Sequence, residues 1–144
     1  MNKKLQLVLE KADRDKQKLA ERLQKALSFL GGEEQQMAQL KSYESDYEKK
    51  INSQKNVQSA ENISRYRSFY HQLNQLMGEQ QRKIIIAQQQ VSHLRQSLLQ
   101  QQQKMKVLAK LAKEQQQQDN SLEEKQLQKQ IDDLSAQAAH KRSR

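Results

Sequence analysis

Apolar residues recur every seven positions along both halves of this chain, and no proline interrupts them. In the first half this register holds Leu5, Ala12, Leu19, Ala26, Leu40 and Tyr47, with Glu33 as a polar exception. In the second half it holds Leu73, Ala87, Leu94, Leu108 and Leu122, with Gln80, Gln101 and Gln115 as polar exceptions. A repeat sustained over so many heptads is typical of a coiled coil, because it keeps one apolar stripe along a long helix. The pattern predicts an all-α protein.

The composition also favours long helices over a globular core. Hydrophobic residues make up 34% of the chain and charged residues 30%, which suffices for a narrow stripe but not for a three-dimensional core. The absence of cysteine excludes disulfides, thiolate zinc sites and a cysteine nucleophile. The first apolar run is too short for a signal peptide, and no stretch approaches the roughly 18 apolar residues of a membrane span. We therefore expect a cytoplasmic protein.

The apolar register is absent over NSQKNVQSAENIS, residues 52–64. Asparagine and serine compete with helix formation because their side chains bond to the nearby backbone. We predict a turn at about 53–62 between helices at about 3–52 and 63–139. Long helices joined by a short connection most simply fold back on each other. The expected fold is a single antiparallel coiled-coil hairpin over residues 1–144.

Five of the six aromatic residues are predicted to gather near the turn. Tyr66, Phe69 and Tyr70 fall within five positions of one another. In a hairpin that turns near residue 57, positions whose numbers add up to about 115 face each other, so Tyr47 lies opposite Phe69 and Tyr43 lies near Tyr70. Buried rings would hold the closed end of the helix pair together. The seam cannot hold all of these rings, so at least one is expected to face outward.

The same arithmetic leaves about 25 residues of the second helix without a partner helix, because Leu5 pairs near residue 110. Apolar residues continue there at helical spacing: Leu127, Ile131, Leu134 and Ala138. An amphipathic stripe without an intramolecular partner implies a partner from outside. The alternative is a glutamine-rich tail in which the pattern is unused.

No catalytic, metal-binding or cofactor-binding pattern is present in the sequence. The three histidines, His71, His93 and His140, are isolated, and none has a carboxylate or histidine partner at metal-ligand spacing. Gly31 and Gly32 lack the lysine and the strand–loop–helix context of a phosphate-binding loop. A two-helix rod also offers no deep cleft. We expect no enzyme, no cofactor and no small-molecule substrate.

The net charge of +9 points to anionic partners, and residues 63–104 alone carry +5. One hypothesis is a basic coiled coil that binds nucleic acid, but no aromatic platform is interleaved with the charge as nucleic-acid binding favours. Another hypothesis is a self-assembling scaffold, which predicts dimers or filaments. Protein docking without nucleic acid is the favoured interpretation.

Two segments of the sequence resemble the FliJ family of the bacterial flagellar type III export apparatus. The first is the spacing of Tyr66, Phe69, Leu73 and Met77. The second is LQKQIDDLSAQAAHKR, in which Gln128, Lys129, Ile131 and Asp132 are similar to the closing segment of the family. Asp133 stands where glutamate is usual. The similarity runs along nearly the full length.

This resemblance implies an antiparallel hairpin similar to the rotor subunit of rotary ATPases. Its open end would insert into a hexameric export ATPase, its closed end would reach the membrane export gate, and the protein would bind export chaperones. The implied place is the cytoplasmic face of the inner membrane at the flagellar base. The residues that would dock on the gate are Phe69, Leu73, Leu76 and Gln80. The ATPase contact would involve the N-terminal turn and Leu127, Ile131, Leu134, Ala138, Lys141 and Arg142. The stalk of a virulence type III secretion system is the nearest alternative.

Overall fold

A computed structural model describes residues 3–53 and 60–142, all of which are helical. Helix α1 spans Lys3–Ser53 and helix α2 spans Ala60–Arg142. The two helices pack against each other in antiparallel orientation, as positions late in α1 meet positions early in α2. The expected all-α antiparallel coiled-coil hairpin is confirmed. Neither helix contains, in the described ranges, a stretch apolar and long enough to cross a membrane.

Most of the predicted turn lies outside the described residues, which leave out 54–59. Residues 60–62, which the sequence placed in the turn, form the start of α2. An ion pair one helical turn apart supports that start, with 3.5 Å between a guanidinium nitrogen of Arg65 and a carboxylate oxygen of Glu61. Glu61 also places negative charge in the first turn, where the helix dipole favours it.

The chain divides into two compact units, each formed by one segment of α1 and one of α2. One unit comprises Leu19–Leu98. Its seam buries six apolar side chains: Met37, Leu73, Ile84, Ala87, Val91 and Leu94. Leu73, Ala87 and Leu94 lie on the seven-residue register, and Ile84 and Val91 are seven residues apart on a neighbouring position. The apolar stripe of α2 is thus the face that packs on α1.

Polar residues of this unit also meet in the seam. Gln80 is 5% exposed, and its side-chain amide donates to the backbone carbonyl of Glu33 at 2.9 Å and to the carboxylate of the same residue. The residue numbers 33 and 80 add up to 113. Tyr47 and Tyr66, whose rings are in contact, give the same sum. Tyr47 and Phe69, whose rings stack, give 116. The contacts of this unit therefore fall on both sides of the expected sum of about 115.

The other unit comprises Met1–Lys18 and Leu99–Arg144. Ala12 and Ala112 are its buried apolar residues among those described. The side-chain amide of Gln101 donates to the backbone carbonyl of Ala12 at 2.9 Å. Gln115 instead bonds to Asp119 of its own helix at 3.3 Å. The buried apolar residues are alanines, and Gln101 bonds to the backbone of the other helix. The two helix segments of this unit therefore bury little apolar surface against each other.

Candidate functional site

Aromatic rings pack together where the described part of α1 ends and α2 begins. The ring of Tyr47 stacks on that of Phe69, with centroids 3.9 Å apart and planes inclined by 18°. Tyr66 meets Tyr47 edge-on, with centroids 5.3 Å apart and an angle of 75°. The predicted opposition of Tyr47 and Phe69 is confirmed. All three rings are half-buried, so they join the helices and still show part of their surface.

Two further tyrosines, Tyr70 and Tyr43, belong to the same unit as the ring stack. Tyr70 is half-buried, and its phenol donates a hydrogen bond to Glu48. Desolvation, then this hydrogen bond and the negative charges of Glu48 and Glu44, raise the pKa of Tyr70 from 10.0 to about 12. Tyr43 is 60% exposed, and it is an outward-facing ring of the kind that the sequence required.

The residues that the resemblance assigned to gate docking are distributed between seam and surface. Leu73 and Gln80 are buried in the seam, at 4% and 5% exposure, and Phe69 is half-buried against Tyr47. Leu76 is 51% exposed. Leu76 is thus the member of this set that offers most of its side chain to a partner, while Leu73 and Gln80 hold the helix pair together beneath it.

A shallow groove of about 360 Å³ runs beside Leu76 between the two helices. Its lining residues are Gln36, Gln39, Leu40, Tyr43, Leu76, Glu79, Gln80 and Lys83. The sequence reasoning placed Leu40 only in the seam and Tyr43 only near the turn. The rule that facing positions add up to about 115 could have placed both residues beside this groove, because it puts position 40 opposite positions close to Leu76. We call this surface, with Phe69 and Leu73 beside it, the Leu76 face.

The last part of α2 exposes an apolar stripe. Every residue from 120 to 142 is exposed, and we call this segment the overhang. Leu127, Ile131 and Leu134 are 58%, 47% and 65% exposed. Leu122, which the heptad register assigned to the seam, is also 58% exposed. The register thus continues along α2 past Ala112, the last described residue of that helix that is buried.

The end of the overhang is basic. The last turn of α2 carries His140, Lys141 and Arg142, where the helix dipole favours positive charge. Ala138 lies one turn earlier, on the face of the apolar stripe. The overhang therefore combines exposed apolar side chains with a cationic end, and its predicted partner-binding residues all lie on the protein surface.

The described residues hold no group of three or more histidine, cysteine, aspartate or glutamate side chains that could bind a metal ion. His71, His93 and His140 are exposed and lie far apart in sequence. The grooves that Leu76 and Leu94 line are shallow and lie along the helix pair.

The model of the family described as "Flagellar FliJ protein" matches residues 1–144. No curated protein matches the chain. A search of the solved structures gave no match either.

Proposed function

The chain belongs to the flagellar FliJ protein family, and from this membership we propose that it acts as the stalk that couples the export ATPase to the export gate. Members of this family are non-enzymatic components of the flagellar type III export apparatus. Within that apparatus, one docking surface of the chain contacts the ATPase and another contacts the gate. The exposed stripe of the overhang is the observation that carries it.

The overhang is proposed to insert into the hexameric export ATPase. Leu127, Ile131 and Leu134 expose an apolar face over about two helical turns, which costs free energy in water until a partner covers it. Ala138 extends that face, and Lys141 and Arg142 add positive charge at the helix end. Apolar contact would supply affinity, and the cations would speed entry into a lumen lined with carboxylates.

The Leu76 face is proposed to dock on the export gate. Leu76 and Tyr43 are exposed on both sides of one groove, which suits a partner that inserts an apolar side chain between them. Phe69 adds the part of its ring that Tyr47 leaves uncovered. Leu73 and Gln80 are proposed to act from the seam, by fixing the distance between the helices that line the groove.

Export chaperones are proposed as further partners, and the cytoplasmic face of the inner membrane at the flagellar base as the place of action. Family membership supports these proposals over a basic coiled coil that binds nucleic acid. It also favours the flagellar machine over a virulence secretion system, because the matching family is flagellar.

Stimulation of ATP hydrolysis by the purified export ATPase tests the stalk proposal. We expect the full chain to bind the ATPase in a pull-down and to raise its hydrolysis rate. A triple variant, Leu127→Gln, Ile131→Gln and Leu134→Gln, should lose both effects while it stays helical, since glutamine is also a good helix former. Val107→Gln with Leu111→Gln is the matched control, because these side chains are equally exposed but lie outside the overhang.

Binding of the soluble domain of the gate protein tests the other surface. Leu76→Asp should weaken this binding, and Leu99→Asp should not, although the two leucines are 51% and 54% exposed.

If the triple glutamine variant stimulates the ATPase as well as the native chain does, the ATPase assignment is wrong. If Leu76→Asp and Leu99→Asp bind the gate domain equally, the gate assignment is wrong.

A further inference from the structure

A second groove lies on the unit that comprises Leu19–Leu98, and the proposed function does not use it. It has a volume of about 620 Å³ and lies between α1 and α2. Ala87 and Leu94 are buried at its floor. Phe29 and Ile86 form its two walls, with 60% and 65% of their surfaces exposed. These are among the most exposed large apolar side chains that the structure describes, and they face one groove from different helices.

The rim of this groove is basic. Arg22 and Lys25 line it from α1, and no acidic residue lines it. Within the same unit, α2 from Gln80 to Leu98 carries Arg82, Lys83 and Arg95 and no acidic residue. These charges and those of the rim favour an anionic partner. The lining thus combines an apolar floor and walls with a cationic margin.

The α1 residues of this groove lie fourteen positions before those that line the groove beside Leu76, so Phe29 corresponds to Tyr43 and Lys25 to Gln39. The position halfway between Lys25 and Gln39 is Gly32, and a Cβ placed there would meet no atom within 4 Å. Gly32 thus leaves open space between these two positions of α1.

We propose that this groove, the Phe29–Ile86 groove, binds one amphipathic α-helix of an acidic partner protein. Leucine-like side chains of that helix insert between Phe29 and Ile86, and carboxylates beside its apolar stripe pair with Arg22 and Lys25. An apolar stripe flanked by charges is the form in which helices dock in hydrophobic grooves. The cationic margin selects acidic helices over basic ones. This inference goes beyond the proposed function and does not depend on it.

The test uses the full chain and two synthetic helical peptides, each about three turns long. Both carry the same leucine stripe, and glutamate flanks it in one peptide and lysine in the other. We expect the glutamate peptide to bind more tightly. Phe29→Ala and Ile86→Ala should each weaken its binding roughly tenfold, as truncation of a contact anchor does. Circular dichroism should stay unchanged, because both side chains are exposed in the free protein.

Charge reversal on the rim makes the test specific to the groove. Arg22→Glu with Lys25→Glu should reverse the preference, so that the lysine peptide binds more tightly than the glutamate peptide. Lys106→Glu with Lys110→Glu changes the net charge equally at residues that do not line the groove. That control should keep the preference for the glutamate peptide. Equal loss of binding in both double variants would show general charge attraction and would overturn the proposal.

Two other occupants of the groove would also overturn the proposal. A second copy of the chain would give a concentration-dependent dimer in sedimentation, and Phe29→Ala would abolish it. A membrane would give binding to phosphatidylglycerol vesicles that Ile86→Ala abolishes, without any preference between the peptides. If neither peptide binds and the native chain is monomeric without affinity for vesicles, the groove has no such partner and the inference is wrong.

Discussion

Gln80 and Glu33, which are polar residues at apolar register positions of their helices, bond to each other across the seam. The amide of Gln80 donates to both the backbone carbonyl and the carboxylate of Glu33. A polar residue at a seam position lowers stability but specifies one register, because a shifted register leaves it without a partner. These two polar exceptions to the register thus help to define the pairing of α1 with α2.

Removing one member of this pair should destabilise the protein more than removing both. Gln80→Leu leaves the partly buried carboxylate of Glu33 without its donor, at a cost of about 1–3 kcal/mol. The double variant Glu33→Leu with Gln80→Leu makes the seam continuously apolar and should be at least as stable as the native chain. Urea unfolding followed by circular dichroism measures both. A double variant less stable than Gln80→Leu alone would contradict this account.

Cysteines on the two sides of one groove should crosslink within a single chain. Gln36 and Lys83 are exposed and line the groove beside Leu76 from α1 and α2. A short bis-maleimide should join Gln36→Cys to Lys83→Cys in dilute solution, with a shift in gel mobility and no dimer. Ser97→Cys lies two heptads, about 20 Å, further along α2 and should not react with Gln36→Cys. Crosslinks that form only between chains would exclude the antiparallel register.

Heptad periodicity was enough to predict the fold, because it marks the buried face of a helix directly. It also predicted that Tyr47 lies opposite Phe69, and the two rings are stacked in the structure. The hydrogen bond from Gln80 to the backbone carbonyl of Glu33 could not be predicted in this way, because that side-chain geometry has no signature in the spacing of apolar residues.

The exposure of the docking residues could not be predicted from the resemblance, because a resemblance transfers residues without their exposure. It assigned the same docking role to Leu73 and Leu76, yet Leu73 is 4% and Leu76 is 51% exposed. Leu76 lies three residues further along α2, and this distance is enough to place it outside the seam. The sequence also did not predict a groove at Phe29. Phe29 and Ile86 lie on different helices, and only the packed structure shows that they line the same groove.

Phe69 and Leu76 should separate stability from docking. Phe69→Ala removes a ring that is stacked on Tyr47 and half-buried, so unfolding should become easier by about 2 kcal/mol. Leu76→Ala removes an exposed side chain and should change stability by less than about 0.5 kcal/mol, while it weakens gate binding and motility. Thermal unfolding and swimming in soft agar are the two measurements. An unchanged melting temperature for Phe69→Ala would show that the ring stack does not hold the helices together.

Alkaline titration should reveal the bond between Tyr70 and Glu48. The pKa of Tyr70 is raised to about 12 in the folded protein, so the folded state holds the phenol proton more tightly than the unfolded state does. Its contribution to stability is therefore complete below the ordinary pKa of 10.0 and is lost as the pH rises through about 12. In absorbance at 295 nm, Tyr70→Phe should remove a late-titrating phase, and Glu48→Gln should move that phase to lower pH. A phase that stays in place in Glu48→Gln would assign the raised pKa to burial and to the charge of Glu44.

Deleting residues 127–144 should abolish stimulation of the export ATPase and leave the helix pair intact. All described residues of this segment are exposed, so its removal takes little buried apolar surface from the fold. Helicity of the remaining chain and binding to the gate domain should therefore persist. Salt dependence should then divide the contact into its two parts. Lys141→Gln with Arg142→Gln should flatten the fall of affinity with ionic strength, since screening acts on exposed charges. Leu127→Gln with Ile131→Gln should lower affinity at every salt concentration, because apolar contact is weakened little by salt. Stimulation by the truncated chain at the native level would assign the ATPase contact to another surface.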